Sequence, residues 1–183
     1  TEAEESDRRQ AEFSERSKLF MDNLNVDEMV AQLLVSEGFS TLEEVAYVEK
    51  SEIESIEGFD ESTAEELQAR AHECIEEINN KAIKKAKELG VVDSLINFEG
   101  LNPEMIKTLA EDGIKNLEEF AKCADWEIAG GYTLVDGKRV KDDGLLEKFD
   151  IGIKEARNLI IKARLEMGWI NNEDYEKEIS DQN

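Results

Sequence analysis

The sequence predicts an all-α protein made of two tandem helical domains, and three observations support this prediction. A single Pro and 11 Gly among 183 residues suit long helices better than the many short strands of a sheet protein. Hydrophobic residues make up 40% of the chain, which is enough for a core despite a formal charge of −23. A pattern of turn and apolar residues also recurs four times along the chain.

The chain divides into five predicted segments. A leading stretch rich in Glu and Arg is expected to be a solvated helix or a frayed end. It precedes a first repeat, a helical linker, a second repeat and a loose acidic tail. The predicted bounds of these segments are residues 1–19, 20–79, 80–91, 92–171 and 172–183.

The two repeats are recognised by an ungapped match. The segment GFSTLEEVA from Gly38 aligns with GIKNLEEFA from Gly113. Both glycines are expected to close a helix in the left-handed conformation. The residues expected to cap the helix starts correspond in the two repeats as well. So does a carboxylate at the third position of one of these helices. These matched pairs are Asp27 with Asn102, Thr41 with Asn116, and Glu44 with Glu119.

A finer motif occurs twice in each repeat. It consists of a turn residue, an apolar residue next, a small or branched apolar residue six positions after the turn, and Leu nine positions after it. The turn residues are Asn25, Gly58, Gly100 and Asp150. Only Gly, Asn and Asp occur there, and these types adopt positive φ most readily. Another apolar residue stands five positions before each turn, namely Phe20, Ile53, Leu95 and Leu145. The motif predicts four helix-hairpin-helix units, two in each domain.

Two further elements follow from spacing. Asp60 is expected to cap a helix whose apolar periodicity continues to Gly90, so that the linker at 80–91 is helical and stiff. The second repeat carries an insertion at about 131–147. Its segment YTLVDGKRV places the pair Asp136 and Gly137 between β-formers, which predicts a small β-hairpin.

The composition argues against several classes of function. The longest apolar stretch is too short to cross a bilayer, and neither a phosphate-binding loop nor a metal-ligand spacing is present. His72, the one histidine, has no nucleophile tied to it by a motif. Cys74 and Cys123 are too far apart in sequence for a Cys-x-x-Cys pair, which suits a reducing cytoplasm. We therefore expect a cytoplasmic protein that is not an enzyme, has no cofactor and has no membrane partner.

Charge favours protein partners over nucleic acid. Helix-hairpin-helix turns often hold a phosphate on backbone N–H groups, but acidic residues surround Gly58, and no base follows Gly100 until Lys107. The fourth hairpin is the exception and keeps open the alternative of a nucleic-acid-binding module. Its candidate contacts are Lys148, Lys154, Arg157, Lys162 and Arg164.

Acidic helical modules of this kind can dock a basic helix, peptide or domain face, or mimic nucleic acid. Residues 1–80 hold 23 acids and 6 bases, whereas residues 81–183 hold 22 and 16, so the first repeat carries most of the negative charge. Trp169, after the last helix of the second repeat, is a candidate half-exposed anchor for a partner.

Four segments resemble the C-terminal acidic repeats of the NusA family of bacterial transcription factors. They cover parts of residues 20–170 and are GFSTLEEVAYV from Gly38, IEGFDESTAEEL from Ile56, FEGLNPEMIKTLAEDGIKNLEEFA from Phe98, and ARNLIIKARLEMGW from Ala156. The resemblance implies a non-catalytic interaction region of a factor that modulates elongation, pausing, termination and antitermination. It further implies RNA-binding S1 and KH domains upstream.

The resemblance also implies partners. The second repeat would bind the C-terminal domain of the RNA polymerase α subunit and mask the KH domains of the same protein, and the first would receive an antiterminator peptide. Carried over by repeat, the exposed candidates for partner binding are Glu43, Glu44, Glu118 and Glu119. The insertion at 131–147 and the basic surroundings of Asp150 depart from the other copies of the motif.

Overall fold

The computed structural model describes residues 1–182, and its contacts divide the chain into two compact units, Thr1–Ile78 and Asn79–Asn183. The first unit contains α1 (Glu2–Leu24), α2 (Glu28–Ser36), α3 (Leu42–Tyr47), α4 (Lys50–Glu54) and most of α5 (Glu61–Glu88). The long helix α5 continues into the second unit without a break.

The second unit contains the end of α5, four short helices, a two-stranded antiparallel hairpin and two further helices. In order, these are α6 (Asp93–Ile96), α7 (Pro103–Glu111), α8 (Leu117–Ala121), α9 (Asp125–Ala129), β1 (Gly131–Val135), β2 (Lys138–Asp142), a 3-10 turn (Glu147–Phe149), α10 (Ile153–Glu166) and α11 (Asn172–Ser180). The predicted mostly helical fold with a small β-hairpin is thus confirmed.

The four hairpin turns have left-handed backbone conformations. Values of φ are 52° at Asn25, 91° at Gly58, 113° at Gly100 and 56° at Asp150. Each of these residues lies between two helical segments, so the chain changes direction there. Asn and Asp occupy two of the turns because their side chains tolerate this region better than other residues with a Cβ atom.

Caps fix the helix ends beside these turns. Asp27 Oδ1 accepts from the N–H of Val30 at 2.9 Å, and Asn102 Oδ1 accepts from the N–H of Met105 at 2.8 Å. Gly38, with φ of 99°, ends α2 in the same way that Gly113, with φ of 88°, ends α7. At both ends the N–H groups of the glycine and of the residue after it donate to carbonyls in the last turn of the helix, as in a Schellman C-cap.

Each unit has its own apolar core. The residue six positions after each turn is buried in all four hairpins, and in three of them it is Ala, which lets two helices approach closely. These residues are Ala31, Ala64, Ile106 and Ala156. The largest fully buried side chains around them are Phe20, Leu24, Leu34 and Ile53 in the first unit, and Leu95, Leu109, Phe120, Ile128 and Leu146 in the second.

The β-hairpin forms where the inserted segment predicts it. Asp136 and Gly137 have φ of 52° and 76°, as the two central residues of a type I′ turn require. The register pairs Gly131 with Asp142 and Val135 with Lys138. The insertion is therefore an ordered β element within a helical unit.

The structure differs from the expected segment bounds in several places. Residue 20, the expected start of the first repeat, lies inside α1, whose first half is exposed. The expected linker supplies core residues, since Ala86 and Val91 are buried in the second unit's core. Most of the expected loose tail is helix α11, because Asn171 caps it by accepting from the N–H of Asp174 at 2.8 Å. Asn183, the last residue of that segment, lies outside the described residues.

The fourth hairpin also differs from the pattern. The segment before Asp150 is a 3-10 turn rather than an α-helix, so the apolar positions shift by one residue. Leu146 is fully buried there, whereas Leu145, which the motif singles out, is only partly buried.

Candidate partner-binding surfaces

A groove on the first unit combines an apolar floor with an acidic rim. Gly38 and α3 form its walls, and its volume is about 370 Å³. Phe39 and Val48 are half-buried on the core, and Tyr47 is 67% exposed beside them. The Tyr47 ring packs edge-on against the ring of His72, with centroids 5.1 Å apart. The carboxylates around this floor are Glu37, Glu43, Glu44 and Glu52.

Two of the carboxylates expected to bind partners are engaged within the chain. Glu44 accepts hydrogen bonds from the N–H and the hydroxyl of Ser40, at 3.1 and 2.9 Å. Its counterpart Glu119 accepts from the N–H of Lys115 at 2.8 Å. Both serve as the N3 residue of a helix start, so both have a structural role, and Glu44 also lies beside the groove.

Two positions of this groove differ in the described part of the second unit. The position corresponding to Tyr47 is Lys122, which forms an ion pair with Glu118 at 3.2 Å. The position corresponding to Glu52 is Glu127, whose carboxylate accepts from the N–H of Ala124 at 2.6 Å. The aromatic, acid-rimmed surface is therefore a property of the first unit.

Three of the five basic residues near the fourth hairpin are used inside the second unit. Arg157 contacts Asp125 Oδ2 through two nitrogens, at 2.9 and 2.8 Å. Lys162 donates to the carbonyl of Glu99 at 3.1 Å, and Arg164 donates to the carbonyl of Ala121 at 2.9 Å. A cation that already satisfies a carbonyl or carboxylate contributes less to binding an external phosphate.

Lys148 and Lys154 are the exposed remainder of this basic set. The Lys148 ammonium lies 5.2 Å from the centroid of the Phe149 ring. Trp169 is 45% exposed and follows Gly168, whose φ of 75° ends α10. Its indole is thus half-exposed, and its role as a partner anchor stays a prediction.

Metal ligands, a buried thiol and the apolar character of the helices can also be described for residues 1–182. No group of three or more His, Cys, Asp or Glu there is placed to hold a metal ion. Cys123 is buried, and burial raises the pKa of its thiol to about 11, which makes it a weak nucleophile at neutral pH. Among the same residues, no helix is both long and apolar enough to cross a membrane.

The paired hairpins, buried small residues and left-handed turns define a class of protein. Residues 25–73 match the family described as "SAM-like Helix-hairpin-helix tandem", in agreement with the hairpins observed in the first unit.

Relatives extend the similarity over most of the chain. The chain is 43% identical over 158 residues to "Transcription termination/antitermination protein NusA" of Rickettsia prowazekii, and 42% identical over 157 residues to the protein of the same name from Rickettsia conorii. Each match covers 86% of this chain and 30% of the relative. Homologues of this chain are thus NusA proteins, which confirms the predicted resemblance, and the chain spans less than a third of their length.

Most of the groove was not predictable from the sequence. Glu43 and Glu44 were candidates, but Glu37, Phe39 and Tyr47, which share the groove with them, were not. The one available signal was the Tyr within LEEVAYV. A Tyr on a short acidic helix belongs either to the core or to an exposed surface, and the sequence does not distinguish the two. Only the packing of α3 on its neighbours shows that this one is exposed.

Proposed function

We propose that this chain is the protein-binding region of a transcription termination/antitermination factor. It contributes to elongation, pausing, termination and antitermination by holding other macromolecules, without catalysing a reaction. The observation that carries this proposal is the acid-rimmed apolar groove of the first unit, a surface complementary to a basic amphipathic segment. The printed names of the relatives supply the biological setting.

The first unit then receives a basic segment of a partner, such as an antiterminator peptide. Tyr47 and Phe39 would contact the apolar side of such a segment, while Glu43 and Glu52 would face its cations. The negative charge of residues 1–80 would speed the encounter and make it sensitive to salt.

An arginine-rich, fluorescein-labelled amphipathic peptide tests this site by fluorescence anisotropy. The double variant Glu43→Lys with Glu52→Lys is expected to weaken binding by about tenfold or more, which is about 1.4 kcal/mol. Glu118→Lys with Glu111→Lys is the control with the same change of charge, since both residues are exposed on the second unit and Glu118 occupies the position of Glu43 there. Its effect is expected to stay within about twofold. Equal losses in the two variants would show general charge attraction and no groove site.

The second unit is proposed to bind the C-terminal domain of the RNA polymerase α subunit and to mask the KH domains of the same protein. Titration of isotopically labelled chain with the α-subunit domain is expected to shift amide signals near Trp169, and Trp169→Ala to weaken the complex. For masking, the chain added to a KH-containing fragment is expected to lower that fragment's RNA affinity at ~0.1 M salt, where the screening length is about 10 Å. Unchanged RNA affinity would exclude masking.

The competing function is nucleic-acid binding through the fourth hairpin. The structure favours it less, because Arg157, Lys162 and Arg164 hold groups of their own unit. Titration with labelled DNA and RNA at low and high salt decides between the two. Micromolar binding that disappears in Lys148→Glu with Lys154→Glu would replace the protein-binding proposal with this one.

A further inference from the structure

The β-hairpin of the second unit exposes apolar side chains that the core does not use. Single exposed apolar residues are normal on a protein surface, but several close together indicate an interaction site. Four lie within nine residues here: Leu134 is 77% exposed, Tyr132 58%, Val135 53% and Val140 42%. Folding of the unit does not account for this surface.

The hairpin is held firmly on the unit at its base. The N–H groups of Leu145 and Leu146 donate to the carbonyls of Glu127 and Ile128, at 2.9 and 3.0 Å. Gly144 lies so close to the opposite backbone that a Cβ atom on it would be 2.3 Å from the nitrogen of Gly130. The base of the hairpin therefore has a fixed position on the unit, which reduces the entropy lost when a partner binds.

The two edges of the hairpin differ in their protection. Within the described residues, β1 pairs only with β2, so each strand has one open edge. The sequence of β2 is KRVKD, and charged residues of this kind oppose the addition of another strand. The sequence of β1 is GYTLV, without a charge or a proline. The β1 edge is thus a template for a further strand.

A cation from β2 lies over a side chain of β1. The guanidinium of Arg139 is 3.9 Å from the centroid of the Tyr132 ring, on the face that Tyr132 and Leu134 share. Neighbouring strands are about 4.8 Å apart, and side chains that face each other across them interact. A carboxylate on a strand added next to β1 would therefore meet Arg139 on this face.

The opposite face of the hairpin carries two exposed apolar side chains, between Lys138 at the turn and Asp142 at the base. Thr133 pairs with Val140, and Val135 pairs with Lys138, so Val135 and Val140 share one side. An added strand would place apolar, β-branched side chains there. Successive side chains of a strand point to opposite faces, so the added strand would have acidic and apolar residues at alternate positions.

We propose that the β1 edge binds an extended segment of a partner protein by strand addition, with acidic residues on the Tyr132 and Arg139 face and apolar residues on the Val135 face. This surface is separate from the groove of the first unit. It binds an acidic segment, whereas the groove binds a basic one. Nucleic acid fits it less well, because the main-chain N–H and C=O groups of an open edge match those of another strand, whereas a phosphate backbone has only acceptors.

The test uses the intact chain and fluorescein-labelled ten-residue peptides. One alternates Val and Glu, a second alternates Val and Lys, and a third is the Val and Glu peptide with alternate backbone nitrogens methylated. By fluorescence anisotropy at ~0.1 M salt, saturable binding is expected only for the first. Hydrogen exchange at residues 131–135 is expected to slow in the complex, since strand addition protects amide groups at that edge.

Matched variants locate the binding edge. Val135→Lys is expected to weaken binding of the Val and Glu peptide by about tenfold, as charge on an edge opposes pairing. Val140→Lys, on the same face but on β2, is the control and is expected to change it by about twofold at most. Arg139→Glu is expected to reverse the preference between the Glu and Lys peptides. All three replaced side chains are exposed, so the variants are expected to fold, and circular dichroism checks this.

Three outcomes would overturn the proposal. The first is no saturable binding of the Val and Glu peptide, and the second is equal losses in Val135→Lys and Val140→Lys. The third is undiminished binding of the methylated peptide, which would exclude main-chain pairing. Another result would assign the hairpin to nucleic acid instead. In that case a labelled oligouridine binds the wild-type chain, its binding is lost in Arg139→Glu, and the Val and Glu peptide does not bind.

Discussion

Arg70 and Lys162 perform the same task in the two units. Arg70 Nη1 donates to the carbonyl of Leu24 at 3.0 Å, and Lys162 Nζ donates to the carbonyl of Glu99 at 3.1 Å. Each cation stands twelve residues after the second turn of its unit, and each accepting carbonyl directly precedes the first turn. A cation from the second hairpin thus holds the turn of the first hairpin closed in both repeats.

We expect Arg70→Met to lower the free energy of unfolding by about 1–2 kcal/mol, because two carbonyls lose a charged donor. Arg70→Lys is expected to keep part of this energy, since Lys162 does the same work in the second unit. Chemical denaturation measures both. Lys84→Ala, at an exposed site on α5, is the control, and a loss no larger in Arg70→Met than in Lys84→Ala would exclude the clamp.

Gly100→Ala is expected to destabilise the second unit by about 1–3 kcal/mol, for two reasons. The residue has φ of 113°, and an added Cβ would lie 2.6 Å from Leu159 Cδ2. Asp150→Gly is the opposite case, because Gly relieves the cost of φ at 56°. Thermal unfolding is expected to show a lower Tm for the first variant and an unchanged or higher Tm for the second. A neutral Gly100→Ala would contradict the close packing of Leu159.

The cap at the start of α5 gives a pH dependence of known sign. The N–H of Thr63 donates to Asp60 Oδ1 at 2.7 Å, and this hydrogen bond lowers the pKa of the Asp60 carboxyl. Its stabilisation is complete above the ordinary Asp pKa of about 3.9 and is lost as the pH falls through the lowered value. Asp60→Asn keeps an accepting oxygen without titrating.

The Tm of the wild-type chain is therefore expected to exceed that of Asp60→Asn at about pH 6 and to lose this advantage towards about pH 2. Scanning calorimetry across that range measures the difference between the two chains, so the titration of other carboxylates cancels. A constant difference at every pH would show that the charge on Asp60 does not stabilise the cap.

Cys123 is expected to resist alkylation in the folded chain. Burial, with a smaller contribution from Glu127, raises the pKa of its thiol to about 11, and the thiolate is the reactive form. At about pH 8 its reaction with iodoacetamide is expected to be at least tenfold slower in the native chain than in urea. Mass spectrometry of the Cys123 peptide measures both rates, and equal rates would contradict the burial.

The same shift affects stability at high pH. The folded-state pKa is raised, so its stabilising contribution is complete below the ordinary thiol pKa of about 8.5 and is lost as the pH approaches 11. Relative to Cys123→Ala, the wild-type chain is expected to lose stability over that interval. A parallel decline of the two chains would exclude the linkage.

Local chemistry made much of the fold predictable. Positive φ can be expected at Asn25, Gly58, Gly100 and Asp150 because few other residue types enter that region at low cost. The hairpin at Asp136 and Gly137 follows from the same preference between two β-forming segments. Capping residues act over three or four positions of sequence, so a single sequence is enough to identify them.

The candidate surfaces were less predictable because exposure depends on distant residues. Glu43 and Glu44 look alike in sequence and both line the groove, yet only Glu44 also accepts hydrogen bonds from Ser40. Tyr47 could equally have filled the core. The open edge of β1 depends on which strand pairs with which.

The sequence by itself determined the turns, the caps, the four hairpins and the negative charge, because these depend on residue type and on spacing of a few positions. Only the tertiary structure decided what each charge does. It paired Arg157 with Asp125 and directed Lys162 to the Glu99 carbonyl. A long cationic side chain reaches several neighbours, and the choice among them depends on atoms that are up to 63 residues away in sequence.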